Sequence, residues 1–502
     1  MMPSSKDALA RHRAATPDKL AVLMADGSAA LTYEQLDAEA WRIAHALRDR
    51  NLRDGATIAL LLDNHSRVLT WWWGARRAGL YYIPLSTKLT PAEIAYILDD
   101  AGVKLLIADD ANSCLARDAA AAARDTAHVV EVDAVSLTGL GDFGALAAAM
   151  TGRELIYSSG TTGRPRGIRR PLAPAVDDAP LPALERRMRA LFEIDARTIY
   201  LSVAPLYHAT GRFLNRVVEE GGTAVILPMF DARDALAAVA RHRVTHTQWV
   251  PTMFVRLLAL DEPVRHGYDL SSHRVALHAA APCPEPVKRR MIEWWGPILH
   301  EYYGGSENAG VTFIRAEEWL ARPGSVGQSI TGAIHILDER SRQPLPPGET
   351  GEILFEGGVP FTYLGEERGT SDLPNGLAGY GDLGWVDADG YLYISDRRSD
   401  LIITGGVNVY PSEVESVLDA DLEVAESAVV GLSDPEYGQR VVAFVVPMRS
   451  LAARQPLAAA LLGRCRAQLS GIKCPREIRF VDQLPRNENG KVLKRVLRDL
   501  PE

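Results

Sequence analysis

The first third of the chain alternates short apolar runs with longer stretches in which apolar residues recur every three or four positions. One such stretch opens at Thr32-Tyr33-Glu34-Gln35-Leu36 and runs through Leu47. The Thr32 hydroxyl can accept from the backbone three residues on while Gln35 reaches back, the reciprocal pattern of a capping box, so a helix is predicted to start there. Apolar runs over 56–62, 81–84 and 103–108 predict strands, and helical periodicity over 68–78 and 91–101, the latter stopped by Gly102, predicts the helices between them. Strand, helix and strand at this spacing build right-handed βαβ units and a largely parallel sheet.

The rhythm returns with predicted strands at 200–202, 223–227, 246–250 and 275–278, which implies a second α/β layer. From about Gly324 the pattern becomes alternating and turn-rich, as in Gly351-Glu352-Ile353-Leu354-Phe355-Glu356, and suggests a small antiparallel or barrel-like unit. Beyond Ser399, a helix over 411–418, strands over 426–430 and 441–446 and a helix near 457–469 suffice for a separate α/β module of about 100 residues. The alanine-rich run 119–123 reads as a solvated helix. The expected fold class is therefore α/β: a large N-terminal domain of stacked α/β sheets with a small barrel-like unit, residues 1–398, and a small C-terminal α/β domain, residues 399–502.

Composition narrows the function. Of 502 residues, 55 are Lys or Arg and 64 Asp or Glu, a net charge of −9, which argues against a nucleic-acid-binding face. Cys114, Cys283, Cys465 and Cys474 form no C-x-x-C pair, so neither a disulfide framework nor a zinc site is expected. The most apolar stretch, 69–85, is broken by Arg76 and Arg77, and the N-terminus lacks the apolar core of a signal peptide. A reduced, cytoplasmic protein without a membrane span is the expectation.

The segment Tyr157-Ser158-Ser159-Gly160-Thr161-Thr162-Gly163-Arg164-Pro165-Arg166-Gly167 packs three glycines, four aliphatic hydroxyls and two cations into eleven residues after an apolar run. Amide and hydroxyl donors with cationic charge are what wraps a polyphosphate, although the same composition also fits a flexible surface turn. It is not a Walker loop, because the G-x-x-x-x-G-K-[ST] spacing is absent. A G-x-G-x-x-G at Gly379, Gly381 and Gly384 has no apolar strand before it and reads as accidental, and Gly304, Ser306 and Asn308 miss the G-x-S-x-G nucleophile elbow at its last position.

Five blocks in order, the loop at 157–167, Ala204-Pro205-Leu206-Tyr207-His208, Tyr303-Gly304-Gly305-Ser306-Glu307, Tyr380-Gly381-Asp382 through Arg397 to Gly405-Gly406, and Pro485-Arg486-Asn487-Glu488-Asn489-Gly490-Lys491, resemble the adenylate-forming (AMP-binding) enzymes. That superfamily comprises acyl-CoA synthetases, peptide-synthetase adenylation domains and firefly-type luciferases. The resemblance implies a two-step reaction: a carboxylate attacks the α-phosphate of ATP, expelling pyrophosphate, and a thiol then attacks the acyl-adenylate. It assigns Lys491 to the meeting of carboxylate and phosphate, where two anions need a cation between them. Taken alone, Lys491 is a solvated lysine after a turn glycine.

By the same resemblance Glu307 would hold Mg²⁺ and Ser306 would meet phosphate, alongside Ser158, Ser159, Gly160, Thr161, Thr162, Gly163 and Arg166 of the loop. Tyr303 would stack on adenine, Asp382 would accept from the ribose hydroxyls with Arg397 assisting, and Gly405 and Gly406 would let a pantetheine arm approach. His208 would stand near the reacting carboxylate, in an acyl pocket with Trp249, Ala279, Ala280, Ala281, Gly304 and Gly305. Read singly, Tyr303 and Trp249 are core aromatics, His208 a core histidine and Asp382 a turn residue.

Two departures stand out. Arg166 replaces the usual lysine, a planar fork for a point charge, and Ser399 occupies the interdomain pivot, usually Asp or Lys, about which the C-terminal domain would be mobile. The block Gly405-Gly406-Val407-Asn408-Val409-Tyr410-Pro411 is most similar to fatty-acid, bile-acid and aryl-acid ligases, and no carrier domain is attached. The expectation is an AMP-forming acyl-CoA synthetase for a hydrophobic carboxylic acid, using ATP, Mg²⁺ and coenzyme A. The alternatives are a free-standing enzyme loading a carrier protein, an enzyme for the thioester-forming half-reaction only, and a silent nucleotide-binding scaffold; a homo-oligomer is left open.

Overall fold

The computed structural model describes residues 7–124, 128–131, 146, 148–158, 165–175, 182–358, 361–365, 376–397, 400–404, 407–435, 437–448, 454–486 and 492–500. The chain divides into two compact units, Met1–Trp249 with Arg256–Leu277 and Val359–Pro374, and Val250–Val255 with His278–Gly358 and Asn375–Glu502.

The first unit opens as the pattern predicts. Thr32 caps the helix Tyr33–Asp49 in a complete capping box: Gln35 N donates to the Thr32 hydroxyl at 3.2 Å, and Thr32 N to Gln35 Oε1 at 2.9 Å. A second box, Thr90 with Glu93, starts the helix Pro91–Asp100. The strands Thr57–Leu61, Tyr81–Pro84 and Leu105–Ala108 join His128–Glu131 and Arg153–Glu154 in an all-parallel sheet. Such a sheet needs cover on both faces, which is why its strands are continuous apolar runs. In the 119–123 segment Ala121 and Ala122 are exposed as expected, while Ala119, like Ala116 a turn earlier, is fully buried, so the helix Ser113–Ala122 is amphipathic with one solvated face.

Further strands of this unit follow in the order Val275–His278, His246–Trp249, Ile199–Ser202, Thr223–Ile226, Leu20–Met24 and Leu31–Thr32. Ile199–Ser202 lies parallel to both its neighbours, as βαβ crossovers through Ala209–Glu219 and Ala232–His242 require. The sequence reading does not contain Leu20–Met24, which the long-range pairing with Thr223–Ile226 places there.

In the second unit the turn-rich region is an antiparallel sheet ordered Ile334–Leu337, Gly351–Phe355, Ala378–Val386, Leu392–Arg397, Ser325–Ser329, Val311–Ile314 and Leu299–Gly304. Further on, Val424–Asp434 and Gly438–Pro447 pair as a hairpin, with Glu477–Phe480 parallel to the latter. Alternation decides which face each residue serves. Val441, Ala443 and Val445 pack with the helices Pro411–Asp419 and Arg454–Gln468, whereas Val442 and Phe444 pack with Leu484 and Leu497 on the other face. Among the described residues no helix is long and apolar enough to cross a membrane.

Candidate active site

The second unit holds a cluster of aromatic and acidic groups. The strand Leu299–Gly304 delivers Tyr303, whose hydroxyl donates to Asp382 Oδ2 at 2.6 Å. Asp382 is only 5% exposed, so a carboxylate there must be satisfied by donors at this spot. The sequence alternative of a turn residue does not hold: Asp382 lies inside the strand Ala378–Val386, directly opposite Arg397 in the register, and the Arg397 side chain is outside the described atoms. The neighbouring glycines serve the sheet rather than phosphate. Gly381 takes φ +72°, a conformation costly for residues with a Cβ, and a Cβ at Gly384 would strike the Tyr393 carbonyl.

Tyr303 is braced by Tyr380 edge-on at 5.6 Å and by Phe355 at 6.2 Å. Tyr380 is itself locked, its hydroxyl donating to Gly310 O at 2.6 Å and accepting from Gly310 N at 3.0 Å, with burial pushing its phenol up to about 12. The ring sits so close to the next turn that a Cβ at Gly305 would lie 2.5 Å from Tyr380 Cε1, which explains the glycine. Gly304 is exposed, Ser306 and Glu307 are half-buried on the same turn, and a Glu307 carboxylate oxygen comes within 3.0 Å of the place of that Cβ. Among the described residues no three His, Cys, Asp or Glu side chains gather as a metal cage. Mg²⁺ shared with a triphosphate needs only one or two carboxylates, and Glu307 fits that requirement.

Ala279, Ala280 and Ala281 follow the strand end at His278; Ala279 is buried, Ala280 is exposed with φ +76° and Ala281 is half-buried. His278, just before them in the chain, belongs to a polar cluster that the sequence reading lacks. Lys288 Nζ pairs with Glu301 Oε2 at 2.6 Å, and His278 Nε2 lies 3.5 Å from the same oxygen. Lys288 also stands 4.5 Å from the centre of the Trp319 ring. Burial, then the charges of Lys288 and His300, hold His278 well below its usual pKa, so it is neutral. Burial raises the Glu301 carboxyl despite Lys288. A signal was present: in the helix Glu285–Trp295, Lys288 shares the buried stripe of Met291 and Ile292.

The first unit by itself holds the two strands that flank the 157–167 segment. Ile156–Ser158 and Arg166–Arg169 are antiparallel with Ser158 opposite Arg166 and Tyr157 opposite Gly167. The Tyr157 hydroxyl donates to Asp100 Oδ2 at 2.6 Å, and burial pushes its phenol up. Ser159, Gly160, Thr161, Thr162 and Gly163 lie outside the described residues, as does the Ser158 side chain. Arg166 is described, its guanidinium over the Tyr363 ring at 3.9 Å.

His208 is the residue before the helix Ala209–Glu219, its ring edge-on to Tyr207 at 4.4 Å. Asn64, another residue absent from the sequence reading, fixes the segment leading to it. Its amide donates to Ala204 O at 3.2 Å and Leu227 O at 2.9 Å, and its oxygen accepts from Leu206 N at 2.8 Å. Trp249 is 1% exposed, with its indole N–H donating to Thr247 Oγ1 at 2.5 Å and Phe230 edge-on, the placement of a core aromatic.

Ser399, Gly405, Gly406 and Lys491 lie outside the described residues. The chain on either side of 487–491 is anchored: Arg486 pairs with Glu426 and bridges to Val492, and Lys494 Nζ meets Glu415 at 2.8 Å. Burial opposes the Lys494 charge, but Glu415 and Asp396 more than offset it and raise its pKa.

Comparison with known proteins adds a separate line. The sequence profile of "AMP-binding enzyme" matches residues 9–362 and that of "AMP-binding enzyme C-terminal domain" residues 413–491. A feruloyl-CoA synthase of Amycolatopsis sp is 33% identical over 479 residues, 93% of each chain. The o-succinylbenzoate CoA synthetase of Bacillus subtilis, solved with its acyl-adenylate intermediate, superposes with a TM-score of 0.83 at 28% identity, over 99% of this chain and 98% of that one. The same enzyme solved with ATP and a magnesium ion gives a TM-score of 0.83 at 28% identity, over 98% and 99% of the two chains.

Proposed function

The chain belongs to the AMP-binding enzymes, and from that membership we propose that it is an ATP-dependent acyl-CoA synthetase acting on a hydrophobic, aromatic or long-chain carboxylic acid. ATP, Mg²⁺ and coenzyme A are its co-substrates and cofactor, and an acyl-adenylate is the intermediate. The observation that carries the assignment of residues is the Tyr303–Asp382 pair. A phenol bonded to a nearly buried carboxylate, at the end of one strand and the middle of another, pre-sets an acceptor for the two ribose hydroxyls.

In the first half-reaction Asp382, with Arg397, holds the ribose, and the Tyr303 ring offers a face to adenine. Ser158 to Gly163 and Arg166 take the polyphosphate through amide, hydroxyl and guanidinium donors, and Glu307 holds the Mg²⁺ that screens it. The family resemblance assigns Ala279–Ala281, Gly304, Gly305 and His208 to the acid. Lys491 then neutralises the charge that builds as the carboxylate oxygen bonds to phosphorus and pyrophosphate leaves. The thiol must afterwards approach the same carbonyl carbon, which Lys491 would obstruct. Rotation of residues 399–502 about Ser399 removes the lysine and brings Gly405 and Gly406 to the pantetheine route.

Lys491→Ala tests this division of labour. It abolishes acyl-adenylate formation from acid and ATP while leaving transfer from a synthetic acyl-adenylate to coenzyme A much less affected. Equal loss in both assays makes the lysine structural, or a participant in both steps.

A further inference from the structure

The strand Arg166–Arg169 has two edges. One pairs with Ile156–Ser158, and the other pairs antiparallel with Thr362–Tyr363, Ile168 opposite Tyr363 and Arg169 opposite Thr362. The second pairing brings a residue from nearly two hundred positions away beside the loop arm, with the Arg166 guanidinium carbon 3.9 Å from the centre of the Tyr363 ring. The ring is held in place. Phe361 meets it edge-on at 5.2 Å, Leu364 N donates to Gly167 O at 2.8 Å, and the Leu364 side chain occupies the space that a Cβ at Gly167 would need.

We propose that Tyr363 is a positioning residue for nucleotide binding, a platform that orients the Arg166 guanidinium toward the polyphosphate of ATP. The inference rests on the phosphate-binding reading of Arg166. A guanidinium stacks through its face and donates hydrogen bonds through its edge, so a ring under the face fixes the plane without consuming the in-plane N–H groups. Those groups are then aimed as a fork, the geometry that grips phosphate oxygens in pairs. A lysine ammonium has neither a plane to fix nor a fork to aim. The arginine at this place therefore acquires its value from the aromatic platform.

The test compares ATP and AMP affinities, by calorimetry, in Arg166→Met, Tyr363→Leu, Tyr363→Phe and the double variant Arg166→Met/Tyr363→Leu. Tyr363→Leu weakens ATP binding about tenfold, in line with a half-buried cation–π contact. It leaves AMP binding, which involves no polyphosphate tail, at the wild-type level. Tyr363→Phe keeps the ring and keeps ATP affinity, and the double variant binds ATP no worse than Arg166→Met alone. Equal loss of ATP and AMP in Tyr363→Leu would make the tyrosine a packing residue and overturn the proposal. Wild-type ATP binding in Tyr363→Leu, with binding weakened in Arg166→Met, overturns the platform while sparing the phosphate-binding reading. Unchanged ATP binding in Arg166→Met overturns both.

Discussion

Lys288→Met isolates one buried charge pair and has a magnitude that the structure sets. The Lys288 side chain is 1% exposed and the Glu301 side chain 9%, and their 2.6 Å contact is the close partner that Glu301 has for its charge, His278 being neutral at 3.5 Å. Methionine preserves the length and apolar stem but strands the carboxylate. Removing one member of a buried pair typically costs about 3–5 kcal/mol, far more than the pair contributes relative to apolar residues of the same shape. The penalty depends on pH, and its sign follows from Glu301. Burial already raises that carboxyl above its usual 4.5 with Lys288 present, and without the lysine it rises further. The folded state then binds the proton more tightly than the unfolded one. Stability is therefore fully present below about pH 4.5 and is lost as pH climbs through the folded-state value. Urea midpoints at several pH values between 5 and 8 give the measurement. Lys288→Met approaches wild type at the acid end and falls away toward pH 8, while Lys288→Met/Glu301→Gln regains most of the loss because no charge is left buried. A loss at pH 8 below about 1 kcal/mol, the range of exposed pairs, or one independent of pH, refutes the reasoning.

Two further outcomes follow from other carboxylates. Burial, reinforced by Glu415 and Glu426 and opposed by a hydrogen bond from Ser427, pushes Asp419 up to about 7 at the end of the helix Pro411–Asp419. Its contribution to stability is therefore present below pH 4 and lost as pH rises through about 7, so Asp419→Asn flattens the decline in melting temperature from pH 5 to 8. Asp382→Ala removes a charged bidentate acceptor and weakens ATP binding by about 1.5–3 kcal/mol in calorimetry; unchanged affinity in a folded variant would return Asp382 to a purely structural role.

What was legible in the sequence was what local rules decide. Thr32 with Gln35 and Thr90 with Glu93 announce their helices because the capping partners are three residues apart. The buried hairpin of the C-terminal region shows in Val441 to Val446 because a strand covered on both faces must be apolar throughout. The remainder depends on pairings between distant segments. Leu20–Met24 becomes an interior strand only through Thr223–Ile226, and Tyr363 reaches Arg166 only through an edge pairing across the chain. The cluster of His278, Lys288 and Glu301 is similarly spread over a strand end, a helix and a second strand, each ordinary by itself. Ordered motifs single out Tyr303 and Asp382 separately, whereas the hydrogen bond that ties them joins two of those motifs and is visible only in three dimensions.

The central claim is tested most directly by the products. The chain is incubated with ATP, Mg²⁺, coenzyme A and a panel of aryl and long-chain acids, and acyl-CoA, AMP, ADP and pyrophosphate are quantified by mass spectrometry and chromatography. The account predicts acyl-CoA, AMP and pyrophosphate in equal amounts for at least one acid, with no ADP. Formation of ADP, or of an adenylate that passes its acyl group to a phosphopantetheinylated carrier protein and never to coenzyme A, would contradict it.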